Sequence, residues 1–272
     1  MISIAIDGKK MLLGYIIVIM TLFGSQSVAA EFLWGPSNSS DPNSVEAVII
    51  RGEIRKGDLN HLCKFVKRDI TRFHRSLIVL ASSGGDLLEA IKIGNLIKSS
   101  YQSVFVNHEV GLCSSACFFI YVAAVEHDAT SHSLGIHRPY IAPEYYANLS
   151  LATAEAKKNT LLKGVQAYLK SQEVPQYLIE IMLSRTSNEV YWLTDDDINH
   201  IGRRASWYDQ LLVERCGLNK RMEQGFLAEG DSFSHAKQAR IHVGEVAACA
   251  YDLKINEGGV GLRKYLSLHC PK

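Results

Sequence analysis

Residues Gly111–Tyr140 read GLCSSACFFIYVAAVEHDATSHSLGIHRPY. Ser115–Ala124 within this stretch forms a helix that is apolar on every side, and such a helix is buried. Ser115 stands where a strand turns into that helix. His137 follows at the end of a second short strand, with Pro139 stopping the strand behind it. A serine hydroxyl is a weak nucleophile until a base lies within hydrogen-bond reach, and histidine is the usual base.

The other half of the pattern lies upstream. Ile78–Asp86, IVLASSGGD, is a buried strand that ends in a glycine turn and opens a helix. Backbone N–H groups freed at such a turn stabilise the oxyanion of acyl transfer. A nucleophile, a base and an oxyanion turn in this order point to a serine hydrolase.

Ser82-Ser83-Gly84-Gly85 before a helix, Ser115-Ala116 at a strand-to-helix elbow, and Ile136-His137-Arg138-Pro139 together resemble the Clp protease proteolytic subunit. That family carries a Pro-Gly-Gly turn, an Ala-Ser-Met elbow and an Ile-His-Gln-Pro segment in the same order. The Cys-Ser-Ser-Ala-Cys form resembles more closely the exported ClpP-like branch of the ClpP/crotonase superfamily. The likeness covers roughly Glu46 to Arg203. It implies an α/β fold, a spiral of ββα units with a helical handle between subunits, and a homo-oligomer. It also implies Ser115 as nucleophile, with Ser114 as the alternative, and His137 as general base. Ala116 and Gly84 would supply the oxyanion N–H groups.

In the family an aspartate shortly before a Phe-Leu-Ser segment orients the imidazole. The equivalent segment here is Tyr191-Trp192-Leu193-Thr194, and the ungapped position is Val190, which has no polar group to offer. A one-residue bulge would bring in Glu189, making it the expected third member. Asn188 and Asp195 are the alternatives, and a Ser–His pair without an acid is another.

The ends bound the context. Lys9 and Lys10 precede an apolar run, Met11–Phe23, and Ser27-Val28-Ala29-Ala30 is a small-residue exit, so residues 1–30 read as a cleavable signal peptide. The expected location is therefore periplasmic or secreted. The run is shorter than the ~20 residues that span a bilayer. Cleavage leaves roughly 240 residues, enough for one large α/β domain with or without an appendage. The formal net charge is +1, and without the leader acidic and basic residues balance, so neither nucleic acid nor an anionic membrane is expected as a partner. There are six cysteines but no pair or cluster at zinc spacing, and no metal or other cofactor is expected. Cys113 and Cys117, four residues apart, would sit with Cα atoms ~6 Å apart on a helix, within disulfide range. Two small buried thiols are the other reading. In a eukaryotic secretory route Asn38-Ser39-Ser40 and Asn148-Leu149-Ser150 would fit the glycosylation pattern.

Periodicity orders the rest. Residues 31–44 read as an extended polar leader. Strands at Val45–Ile50, Leu77–Ala81 and Ser103–Asn107 alternate with helices at Gly57–Phe73 and Asp86–Ser100, which predicts parallel pairing through right-handed crossovers. Asp86 caps its helix; Arg138 is a surface or subunit contact. Helices follow at Tyr145–Gln172 (the handle) and Pro175–Leu183, then a strand at Val190–Leu193. The ClpP-like domain is drawn as 45–209, followed by a C-terminal extension, 210–272, of no assigned role.

The leading functional reading is an exported serine peptidase acting on peptides or unfolded chains, without an ATPase partner because extracytoplasmic compartments lack ATP. The alternatives are a catalytically inactive ClpP-like interaction protein and, ranked last, a crotonase-like acyl-CoA enzyme, which shares the oxyanion architecture but uses no Ser–His pair.

Overall fold

The computed structural model describes residues 29–37, 45–140, 147–232 and 235–271. The expected leader peptide and the sequon at Asn38 lie outside them, apart from the last two residues of the leader. The chain opens with β1 (Glu31–Pro36) and β2 (Glu46–Ile54), then α1 (Asp58–Arg68), α2 (Ile70–Arg75), β3 (Leu77–Gly85) and α3 (Leu87–Ser99). Next come β4 (Ser103–Val106), β5 (Cys113–Ser114), α4 (Ala116–Tyr121), β6 (Glu126–Ala129) and β7 (Leu134–Ile136). The remainder is α5 (Leu151–Ser171), α6 (Gln176–Ser184), β8 (Tyr191–Trp192), α7 (Asp195–Ile201), α8 (Ser206–Cys216), α9 (Lys220–Glu229), α10 (Ala236–Leu253) and α11 (Gly259–His269).

Two sheets result. The larger has the order β1-β2-β3-β4-β6, parallel except for β1, and the smaller has the order β5-β7-β8. β4 lies in the large sheet, β5 in the small one, and α4 follows; β6, β7 and α5 repeat that path. The protein is thus α/β, with successive ββα units feeding two sheets. Ile78, Val79 and Leu80 of β3 are fully buried, as a parallel strand covered on both faces must be. Phe118 and Ile120 on α4 are fully buried too, each removing roughly 1.5–3 kcal/mol worth of apolar surface from water. Asp86 caps α3 as expected, its carboxylate accepting from Glu89 N at 2.8 Å.

The structure departs from the sequence reading in several places. Residues 31–36 form an edge strand antiparallel to β2. Trp34 explains why, because its ring stacks on Phe65 at 4.9 Å and lies under the Arg72 guanidinium at 4.2 Å. The helix expected over 57–73 breaks at Asp69, whose extended backbone (φ −152°) and side chain cap α2 instead. The handle helix, expected from Tyr145, starts at Leu151, where Ser150 caps it and residues 147–150 form a turn; 141–146 lie outside the described residues.

The boundary at 209/210 falls inside α8, and the extension is no loose appendage. Leu262, Leu266 and Cys270 belong to the main core cluster. Lys254 Nζ donates to Ser76 O at 2.8 Å, and Cys270 is disulfide-bonded to Cys63 on α1. Gly258-Gly259 does not break the chain here; helical structure runs through it. A β-carbon on Gly261 would stand 2.0 Å from Ser99 O, so glycine lets α11 lie against the end of α3.

Candidate active site

Ser115 links β5 to α4 with φ 57° and ψ −125°. This is a sparsely populated conformation for a residue with a side chain, of the kind that lifts a nucleophile out of a sharp strand-to-helix turn. Two main-chain bonds hold the turn. Ser115 N–H donates to Gly135 O at 3.0 Å, and Ser115 O accepts from Phe118 N at 3.1 Å. Gly84, at φ 93°, is pressed against the same turn. Ser114 points elsewhere, its hydroxyl donating to Ser83 O at 3.3 Å.

Ser115 and His137 line one cavity of about 550 Å³, together with Ala116, Phe119, Pro139 and Asn188. Both key residues are half-buried. His137 leaves the end of β7, and its Nδ1 lies 3.0 Å from the main-chain oxygen of Arg138. A carbonyl only accepts, so this bond places the proton on Nδ1 and leaves Nε2 as the basic nitrogen.

The third residue is not where the bulge reading put it. Glu189 is exposed, does not line the cavity, and accepts from Thr186 N (3.2 Å) and Thr186 Oγ1 (3.0 Å). Those bonds, main-chain first, hold its carboxyl below the usual range. The physical reason is the ladder. β7 pairs with β8 as Gly135↔Trp192 and Ile136↔Tyr191 with no bulge, and the same register carried one step past the strand ends would bring Val190, not Glu189, opposite His137. Asn188 lines the cavity; Asp195 lies exposed in the first turn of α7. Asp197, which the motif reading passed over, is a buried acid with a structural task. It accepts from Tyr177 Oη, Tyr191 Oη, Thr194 N and Thr194 Oγ1 at 2.9–3.0 Å. Burial opposes its charge, but the bonds from Thr194 and the two tyrosines outweigh it and hold the carboxyl low.

The two residues expected to supply oxyanion N–H groups fare differently. Ala116 N–H is the first of α4, a position without an intrahelical acceptor, and Ala116 lines the cavity. Gly84 N–H instead donates to Ser82 Oγ at 3.1 Å, and the residue of the glycine turn that lines the cavity is Gly85. Nothing in the Gly-Gly spacing distinguishes the two. Because α4 has only six residues, local N–H groups matter here more than a helix dipole.

Cys113 and Cys117 are joined, with Cα atoms 5.4 Å apart, and Cys216 is bonded to Cys249, so all six cysteines are paired. A second cavity of about 580 Å³ lies on the outer face of the large sheet beneath α9. Its charges are matched: Arg204 pairs with Asp209 and Glu223, Lys220 with Asp209, and Arg203 with Asp128. Among the described residues no three or more His, Cys, Asp or Glu gather at a metal-binding geometry, and no helix is long and apolar enough to cross a membrane.

No family model and no curated protein matches this chain. Among solved structures it is similar to a mutant of the 1510-N membrane-bound stomatin-specific protease, at 15% identity and TM-score 0.40, over 63% of this chain and 84% of that one. It is similar also to the enoyl-CoA hydratase of Thermoplasma volcanium GSS1, at 13% identity and TM-score 0.32, over 88% of this chain and 98% of that one. A putative enoyl-CoA hydratase from Streptomyces avermitilis shares 12% identity at TM-score 0.37, over 88% of this chain and 100% of that one. What the site does follows from its own geometry.

Proposed function

We propose that this chain is an exported ClpP-like serine hydrolase of the ClpP/crotonase superfamily that cleaves peptides through a Ser115–His137 dyad. The observation that carries this is one cavity shared by a serine on a strained elbow and a histidine whose Nε2 is left basic. In the reaction, His137 Nε2 takes the Ser115 Oγ proton as the oxygen attacks a substrate carbonyl. Ala116 and Gly85 N–H groups stabilise the tetrahedral oxyanion. The leaving amine departs with the proton from Nε2, and water then repeats the cycle on the acyl-enzyme. The Arg138 carbonyl fixes the tautomer, a task an acid performs in a full triad.

Export is supported by the leader-like first 30 residues and by three disulfides, which persist in oxidising compartments. A homo-oligomer fits α5, which buries only Val165 and Leu169 and leaves Leu151 77% exposed. Glu189 is engaged with Thr186 away from the cavity, and that observation favours a second reading, a ClpP-like interaction protein without catalysis. A fluorophosphonate separates the two. Labelling at Ser115 that disappears in Ser115→Ala supports the hydrolase; a wild type that does not react across a range of concentrations refutes it.

A further inference from the structure

Ser115 sits in a sparsely populated backbone conformation that persists only where its surroundings enforce it. Each flank of the elbow is anchored separately. Cys113 N–H donates to Ser133 O at 2.9 Å within the β5–β7 ladder, and Cys117 lies in the first turn of α4. The Cys113–Cys117 disulfide ties these anchors together around Ser115. Only residues 114–116 remain inside the ring, so with Cys113 held in the ladder and Cys117 in the helix the bond limits how far the elbow around Ser115 can move.

We propose that closure of the Cys113–Cys117 disulfide arms Ser115, making the hydrolase active only after the chain has been oxidised. The proposal rests on the Ser–His hydrolase reading. In the arming step the two thiols give up two protons and two electrons to the disulfide form of a thiol–disulfide oxidant, which becomes the dithiol. Both cysteines are 0% exposed. The bond therefore closes during folding, and in the folded protein it lies beyond a solvent-borne reductant. A chain still in a reducing compartment carries the nucleophile unarmed; oxidation switches it on once.

The test compares oxidised wild type with Cys113→Ala/Cys117→Ala, after peptide mapping has shown the other two disulfides closed in both. The saturating rate of fluorophosphonate labelling and the half-saturating concentration are read separately. The expected result is a saturating rate lower on the order of 100-fold, the scale of a misplaced reacting group, with half-saturation unchanged. An equal rate in the variant overturns the proposal while leaving the hydrolase reading intact. So does an unchanged rate with a smaller labelled fraction, which marks a merely structural role. An unreactive wild type overturns the hydrolase reading and the proposal with it. If the double variant does not fold, wild type is refolded and sampled in time. Labelling then has to follow closure of the 113–117 bond, and labelling that precedes it overturns the proposal.

Discussion

A β-carbon on Gly84 would stand 2.6 Å from the β-carbon of Ser115 and 2.7 Å from the nitrogen of Ala116. The two segments touch backbone to backbone, and with φ at 93° position 84 is closed to other residues on both counts. Gly84→Ala is expected to cost about 3 kcal/mol of stability and to abolish fluorophosphonate labelling by displacing the elbow. Labelling at the wild-type rate would show that the elbow tolerates the shift.

The dyad reading makes opposite predictions at two neighbouring positions. Glu189→Gln leaves kcat/KM close to wild type, because the carboxylate is engaged with Thr186 and not with His137. Val190→Asp places an acid opposite the imidazole and is expected to raise kcat/KM on the order of tenfold, a fraction of what a triad acid contributes. Peptide hydrolysis by the purified variants decides this. A large loss in Glu189→Gln would restore that residue to the site.

Stability is expected to fall in mild acid. His74 and His127 are each 5% exposed, and neither ring nitrogen of His74 has a hydrogen-bond partner, while weak main-chain bonds at Ala124 and Gly202 offset only part of the cost of burying His127. Burial, helped at His74 by Lys254 and Arg263, pushes each pKa down to about 4, below the ~6.5 of an unfolded chain. The unfolded state therefore binds the protons more readily. The stability linked to each neutral ring is whole above about pH 6.5 and drains as the pH drops toward about 4, by about 3 kcal/mol per histidine. Urea midpoints measured across that window should drop, and His127→Phe should drop less steeply. A flat wild-type profile would contradict the assignment.

The bond between Cys63 and Cys270 closes a loop with a sequence separation of 207. Opening it in Cys63→Ala/Cys270→Ala is expected to cost about 3–5 kcal/mol, mostly through the freed unfolded chain. Labelling at Ser115 should persist at low denaturant. If denaturation midpoints do not move, the C-terminal helices are held by packing alone.

Local chemistry sufficed for a good part of the molecule. The unbroken apolar run after Ser115 announced a buried helix, Ile78–Leu80 a buried parallel strand, and Asp86 a cap, because each depends on neighbours a few residues away. The positions of Ser115 and His137 on one cavity agree with motif order for the same reason: elbow and strand end are local turns. What the sequence left open depends on partners distant along the chain. Whether Glu189 or Val190 can face His137 depends on β7–β8 register, and a single-residue slip reverses every side chain. Which of Gly84 and Gly85 opens to the cavity depends on the β3 end packing under the elbow. The helices beyond α8 carry weak apolar stripes, and their place came from contacts with α8 and with α1, α2 and α3. Glycines 258 and 261 illustrate the reason: glycine reads as a break when only its neighbours are known, and as a close-packing contact once Ser99 and Ser100 lie against it.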